Sequence, residues 1–256
     1  MLLICSNSTR HFFPEIERFL IISSSLTLKE LLSLKDTESS VIAVGGGAVI
    51  DAAKVICKNP IVCYPTTAAG TCYTSHSVFW EGPEKKSIKV PKPKEVHVRE
   101  EFLTSIPESV ISSTRYDAIS HCLDSLWSIN KTPESTSLCL EALDLLREPS
   151  SCRELIMGGN LAGRAINLCP TTILHSLSYP LTGFYGISHG VALGSLLKPV
   201  CDFMEFDVSP FLLEPPPTLP EIEISFVAKE SIKYKKILDI PLKVGYNEVI
   251  EILKKV

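Results

Sequence analysis

No part of this 256-residue chain is apolar over the roughly 18 residues that a membrane helix needs. The short opening run MLLIC has no basic segment before it, so neither a membrane span nor a secretory leader is expected. Lysines and arginines form no block and the net charge is −4, which argues against a nucleic acid partner. The nine cysteines include no CxxC pair; scattered and often flanked by apolar residues, they read as small buried hydrophobes rather than a disulfide framework. GxGxxG is absent, and so is any internal repeat. A cytoplasmic chain without membrane or nucleic acid partners is the expectation.

Hydrophobic residues make up 45% and charged residues 21%, a globular composition long enough for one large α/β domain or two small ones. Val41–Val44 and Ile61–Tyr64 are short apolar runs suited to buried parallel strands. Between them Gly45-Gly46-Gly47 breaks the chain and Ala48–Lys54 has helical spacing, which predicts a βαβ unit. Upstream, Phe19–Ile22 reads as a strand and Leu28–Leu34 as a helix. Residues 81–99 read as a hairpin or an extended excursion over the surface. From about residue 105 the texture becomes helical, through Tyr116–Ser128, 133–147, Leu155–Ala165, His175–Leu181 and the C-terminal Tyr246–Val256. Five prolines in 210–221 exclude a regular helix there.

Three groups of residues carry chemistry. Gly45, Gly46 and Gly47 stand at the strand-to-helix junction of GGGAVIDAAK. Missing side chains there let backbone approach a diphosphate, and the helix N-terminus offers free N–H groups; alternatively they only turn the chain. Pro65–Thr71, PTTAAGT, places hydroxyls at the carboxyl end of a strand, where doubly wound sheets hold ligands, or it is a polar turn. Asp117 and His121, spaced i, i+4, share a helix face, and His175 and His189 lie fourteen residues apart beside apolar helices. Three imidazoles with one carboxylate suit Fe(II) or Zn(II) with a position left open. Spacing alone does not separate that from ordinary core and surface histidines.

Taken in order, GGGAVIDAAK, PTTAAGT, FLTSIP, DAISH, AGRAIN and HSLSYPLTGFYGISHG resemble the iron-containing (group III) alcohol dehydrogenase family, from about residue 40 to residue 200. SLWS and GRAINLCPTTILHSLSYPLT look closest to its phosphonoacetaldehyde reductases. The resemblance implies a dehydroquinate synthase-like architecture, α/β followed by all-α: a Rossmann-like parallel-sheet domain over 1–107 and a helical metal-binding domain over 108–256, with the site in the cleft. It implies Asp117, His121, His175 and His189 as metal ligands and catalytic residues. Gly45, Gly46, Gly47, Asp51, Thr66 and Thr67 become the cofactor-binding residues, with FLTSIP a third cofactor-side loop. The implied activity is hydride transfer between NAD(P)H and a small aldehyde or its alcohol, with Fe(II) or zinc, in a homodimer. If the aldehyde is phosphonoacetaldehyde, Arg164 is the candidate partner of its phosphonate. NAD against NADP and iron against zinc stay open.

Departures accompany the resemblance. PTTAGTGSE of the family is PTTAAGTCYT here, and Tyr179 stands where many members carry a further histidine. The chain is shorter than typical members, as though part of the first α/β unit, a piece between Leu146 and Leu155 and much of the helical tail were missing. A truncated, catalytically inactive remnant of the family is therefore the alternative reading.

Overall fold

The computed structural model describes residues 1–23, 26–35, 40–58, 61–104, 106–212 and 219–256. Its strands are β1 (Leu2–Cys5), β2 (Phe19–Ile21), β3 (Val41–Gly45), β4 (Ile61–Pro65), β5 (His76–Glu81), β6 (Glu84–Lys89) and β7 (Glu95–Val96). Five of them form an all-parallel sheet in the order β2-β1-β3-β4-β7, while β5 and β6 pair as an antiparallel hairpin. β1 comes from a run in which the sequence shows only a short apolar stretch. All four of its residues are buried, because strands flank it on both edges and both its faces are covered. Leu2 and Ile4 pack with Ala43 and Cys63 beside α1 (Leu28–Ser33) and α2 (Gly47–Ile56); Leu3 and Cys5 meet Val44 and Phe102, with Phe12 and Phe13, on the other face.

Chain order runs outward in both directions from β1, so a crevice opens where β1 and β3 end. Gly45 closes β3 at that point with φ 154°, and a Cβ on it would lie 2.8 Å from the Val49 side chain. Behind the crevice, Lys54 is fully buried. Its ammonium pairs with Asp51 at 2.8 Å and donates to the carbonyls of Thr71 and His76, tying α2 to the loop after β4 and to β5.

The expected hairpin or surface excursion at 81–99 is a hairpin that begins earlier, at His76; its second strand is exposed or half-buried, with Lys85 and Ile88 on the inner side. Its turn has Gly82 at φ 58° followed by Pro83, the pattern of a II′ hairpin, and the tip packs on Gly183, where a Cβ would sit 2.0 Å from the Pro83 carbonyl oxygen. Glu95 and Val96, where the VHV segment begins, form β7, which joins the main sheet beside β4.

The helical part comprises α3 (Glu108–Trp127), α4 (Pro133–Arg147), α5 (Cys152–Leu168), α6 (Ile173–Tyr185), α7 (His189–Phe203), α8 (Ile224–Ser231) and α9 (Tyr246–Leu253). α4 starts where expected, with Pro133 in its first turn and Thr132 accepting from the Ser135 N–H. One continuous apolar core joins these helices and includes Ala68 from the PTTAAGT loop. That loop lies against bare backbone: a Cβ on Gly159 would stand 2.1 Å from the Ala68 carbonyl oxygen, and one on Gly163 2.1 Å from that of Gly70. The sheet and the helices thus meet through glycine-to-backbone contact. Of the proline-rich 210–221, residues 213–218 lie outside the described residues. All nine cysteines are thiols, eight of them buried. Among the described residues no helix is long and apolar enough to cross a membrane.

Candidate metal centre and cofactor cavity

α3 carries Asp117, His121 and Asp124 at i, i+4 and i+7, one stripe of the helix. That stripe meets His175, third residue of α6, and His189, first residue of α7. Asp117 Oδ1 lies 3.4 Å from His121 Nε2, 3.4 Å from His175 Nε2 and 3.9 Å from His189 Nε2. The His121 and His175 rings stack with centroids 4.6 Å apart. Asp117 Oδ1, His175 Nε2 and both ring nitrogens of His189 are buried without a hydrogen-bond partner. Such orphans are costly unless something else satisfies them. Donor atoms about 2.1 Å from a shared ion, at tetrahedral angles, stand about 3.4 Å from one another. Asp117 stands at that spacing from His121 and from His175, whose donor atoms lie within 4.8 Å of one another, and His189 faces Asp117 at a slightly longer reach. Asp117, His121 and His175 fit a divalent cation such as Fe(II) or Zn(II), with the expected fourth ligand, His189, set beside Asp117.

Asp117, His121 and His189 are held in the protonation states that role needs. Burial opposes charge on Asp117, but His121, His175 and His189 outweigh it and hold the carboxyl well below its usual range. Burial pushes His121 down to about 4 and takes His189 well below the ordinary imidazole range, leaving both neutral with free lone pairs. For His175 burial is overcome by the neighbouring Asp117 carboxylate and the hydrogen bond to Asp124, which raise its pKa.

Asp124 is the functional residue that sequence reasoning missed. It is wholly buried and accepts four donors: the Thr172 hydroxyl at 3.0 Å, the N–H groups of Leu174 at 2.9 Å and His175 at 3.2 Å, and His175 Nδ1 at 2.8 Å. A carboxylate accepts a hydrogen bond from Nδ1–H, so the Nε2 lone pair of His175 is left aimed at Asp117 and its neighbours. The same carboxylate caps the first turn of α6, whose N-cap Thr172 makes no cap of its own. Its position three residues after His121 was the available signal.

A cavity of about 720 Å³ starts at Ile22, Leu26 and Leu31, passes Gly47 and Ala48 at the N-terminus of α2, and ends at Asp117, His121, His175 and His189. This is within the size range of cofactor sites. Of the six expected cofactor residues, Gly47 and Asp51 line it. Gly46 caps α2 and abuts Thr67, and Gly45 turns the chain. The Asp51 carboxylate is occupied by Lys54 and the Val78 N–H; burial raises its pKa against the pull of Lys54. Thr66 and Thr67 face a small separate space beside Ile111, Thr114 and Cys152. Ala69, Thr71 and Thr74 of the same loop line the large cavity instead. In FLTSIP, Phe102 and Leu103 are buried away from the cavity, and Ser105 lies outside the described residues. Arg164 is exposed on α5 and does not line the cavity, so its assignment to a substrate phosphonate is corrected.

The hairpin supplies the outer wall of the metal end. Trp80 meets Tyr179 and His189 edge-on, at centroid distances of 6.3 and 6.5 Å. Lys236 Nζ donates to Tyr179 Oη at 2.7 Å, and Lys85 Nζ reaches the same oxygen at 3.4 Å. Burial would raise the Tyr179 phenol, but Lys85 and Lys236 bring it down to about 6.

Residues 111–209 match the C-terminal family model of the Fe-containing alcohol dehydrogenases, a span that holds Asp117, His121, His175 and His189. Phosphonoacetaldehyde reductase of Streptomyces viridochromogenes is 28% identical over 205 residues, covering 61% of this chain and 52% of that protein. The chain thus spans about half the length of the curated relatives it matches. The iron-containing alcohol dehydrogenase of Corynebacterium glutamicum superposes with a TM-score of 0.85 at 20% identity, over 99% of this chain and 86% of that one. The sulfoacetaldehyde reductase of Bifidobacterium kashiwanohense, solved with NAD+, gives 0.81 at 18% identity, over 97% and 88%. In motif order and fold the chain resembles the iron-containing alcohol dehydrogenases, with the parallel sheet and helical part expected of a dehydroquinate synthase-like architecture.

Proposed function

We propose that this chain is a metal-dependent alcohol dehydrogenase that transfers a hydride between NAD(P)H and a small aldehyde, with phosphonoacetaldehyde the first substrate to test. The observation that carries the reading is the meeting of Asp117, His121, His175 and His189 at one end of a cavity whose wall includes the N-terminus of α2. Bound at those ends, a divalent cation supplies Lewis-acid polarisation of the carbonyl and the dinucleotide supplies the hydride.

The chain's own residues prepare that chemistry. Asp117 holds its negative charge among three imidazoles, and Asp124 fixes the His175 ring by its Nδ1–H. Gly47 and Ala48 offer unbranched backbone at a helix N-terminus, suited to a diphosphate. Tyr179, with its ring centroid 5.9 Å from that of His189 and its Oη held by Lys236, holds or releases a proton at the reacting end. Trp80 and the hairpin exclude water from one side. On this reading residues 1–107 serve the cofactor and 108–256 the metal, in a homodimer.

The test is metal content and NADH or NADPH oxidation by the purified chain, loaded with Fe(II) or Zn(II) and given a panel of aldehydes. Stoichiometric metal with aldehyde-dependent oxidation is expected. Folded, metal-loaded protein that oxidises neither cofactor with any aldehyde would leave the inactive remnant as the correct reading.

A further inference from the structure

Two cations converge on the metal end of the cavity from outside the ligand set. Lys85 comes from β6 and Lys236 from the turn Lys235–Leu238, and both line the cavity wall. Their ammonium groups stand 4.4 and 4.5 Å from the centroid of the Tyr179 ring and share its Oη. Lys236 also donates to Thr171 Oγ1 at 2.6 Å. An ammonium has three donors. Lys85 uses one of them and Lys236 two, so both keep N–H groups to spare.

No carboxylate pairs with these ammonium groups in direct contact; Asp124 feels Lys236, and Asp51 feels Lys85, only at longer range. The cavity's acidic residues are Asp51 and Asp117, the first paired with Lys54 and the second set among the histidines. Among the described residues neither Lys85 nor Lys236 forms an ion pair with an acid. One phenolic oxygen cannot neutralise two ammonium groups; even as a phenolate, Tyr179 leaves a net positive charge. Both lysines are half-buried beside Trp80, where water screens charge less than at an open surface. A wall with spare donors and unbalanced positive charge is a receptor for an anion.

We propose that Lys85 and Lys236 form an anion subsite that takes the terminal oxyanion group of the substrate. The substrate class is then a short aldehyde whose carbon chain ends in a phosphonate, sulfonate or carboxylate. This deepens the aldehyde reading of the same cavity and rests on it for the reacting end. The spare N–H groups bind the head group by charge-assisted hydrogen bonds while the carbonyl points to Asp117 and the histidines. The role once expected of Arg164 passes to these two lysines.

Calorimetric titration tests the subsite without turnover, using methylphosphonate, methanesulfonate and acetate as separate probes on the purified chain. At least one should bind, and the tightest identifies the head group. Lys236→Met and Lys85→Met should each weaken that binding at least tenfold, the loss expected for a charge-assisted hydrogen bond. Circular dichroism confirms that each variant is folded, and if one fails to fold the other still decides. No binding of any probe to the native chain, or weakening of less than tenfold in a folded variant, overturns the proposal. Anion binding that depends on both lysines in a chain that reduces no aldehyde would keep the subsite and refute the redox reading.

Discussion

Replacing Asp124 by asparagine separates positioning of the metal ligands from direct ligation. The substitution preserves shape but leaves one acceptor oxygen where the carboxylate has two. Oδ1 now serves Thr172 and Leu174, and Oδ2 serves the His175 N–H and Nδ1. In the variant an NH2 group must face one of those pairs. Facing His175, it meets a donor with a donor and favours the tautomer whose proton sits on Nε2, which removes the lone pair aimed at Asp117. Turned the other way, it strips the first turn of α6 of its cap. Loss of such a supporting carboxylate weakens metal binding about 10–100-fold, or about 1.4–2.7 kcal/mol. Each hydrogen bond to a buried charge is worth about 1.5–3 kcal/mol, so the metal-free variant should be destabilised by about 2–4 kcal/mol. A chelator-competition titration reads the first quantity, and urea unfolding with and without metal reads the second. At saturating metal the stabilisation gained should shrink by the same 1.4–2.7 kcal/mol, because binding and folding are linked. A folded Asp124→Asn chain that holds Zn(II) within threefold of the native chain would refute the reasoning and leave Asp124 only a helix cap.

Three other outcomes follow from single contacts. His189→Ala should lose metal retention and cofactor oxidation together, and a metal-loaded, fully active variant would contradict the ligand assignment. Gly159→Ala places a Cβ 2.1 Å from the Ala68 carbonyl oxygen, backbone against backbone with no side chain to move aside. Unfolding in urea should show at least about 2 kcal/mol lost, toward the upper end of overpacking costs, and an unchanged midpoint would show that α5 can shift. Lys54→Met leaves the Asp51 carboxylate buried without its partner, a loss of about 3–5 kcal/mol at neutral pH. Burial raises the Asp51 pKa even with Lys54 present, and without it the folded-state value must rise further. The unfolded chain then loses the Asp51 proton first. The variant should therefore approach native stability below the ordinary carboxylate range, about pH 4, and lose it as pH rises through and above that range. Thermal melts from pH 4 to 8 check the slope, and a deficit independent of pH would refute the assignment to Asp51.

What the sequence made legible divides along the range of the forces involved. Asp117 and His121 could be paired from spacing, since helical period alone puts i and i+4 on one face. The order of motifs added His175 and His189, and the structure brings all four together. Asp124 looks like any acid on a helix until α6 packs its N-terminus against it, a contact between residues fifty positions apart in the Leu174 hydrogen bond. Lys85 sits in a charged run that reads as surface, and only the seat of the hairpin tip on Gly183 turns it inward. Thr66 and Thr67 have the chemistry of ligand contacts, yet the bare backbone of Gly159 and Gly163 draws that loop toward α5. Local pattern fixes which atoms are available, and tertiary contact decides where they point. The histidines show both acting together. His189 opens α7, where burial and the Lys85 ammonium lower its pKa and the partial positive charge of the helix N-terminus acts in the same direction. His175 stands in the first turn of α6 under the same field, but there Asp124 supplies a compensating negative charge and holds a proton on Nδ1. Burial and Lys85, aided by the helix N-terminus, thus leave His189 unprotonated, and one buried carboxylate leaves His175 with Nε2 as its open nitrogen, the arrangement in which both rings can accept a cation beside Asp117.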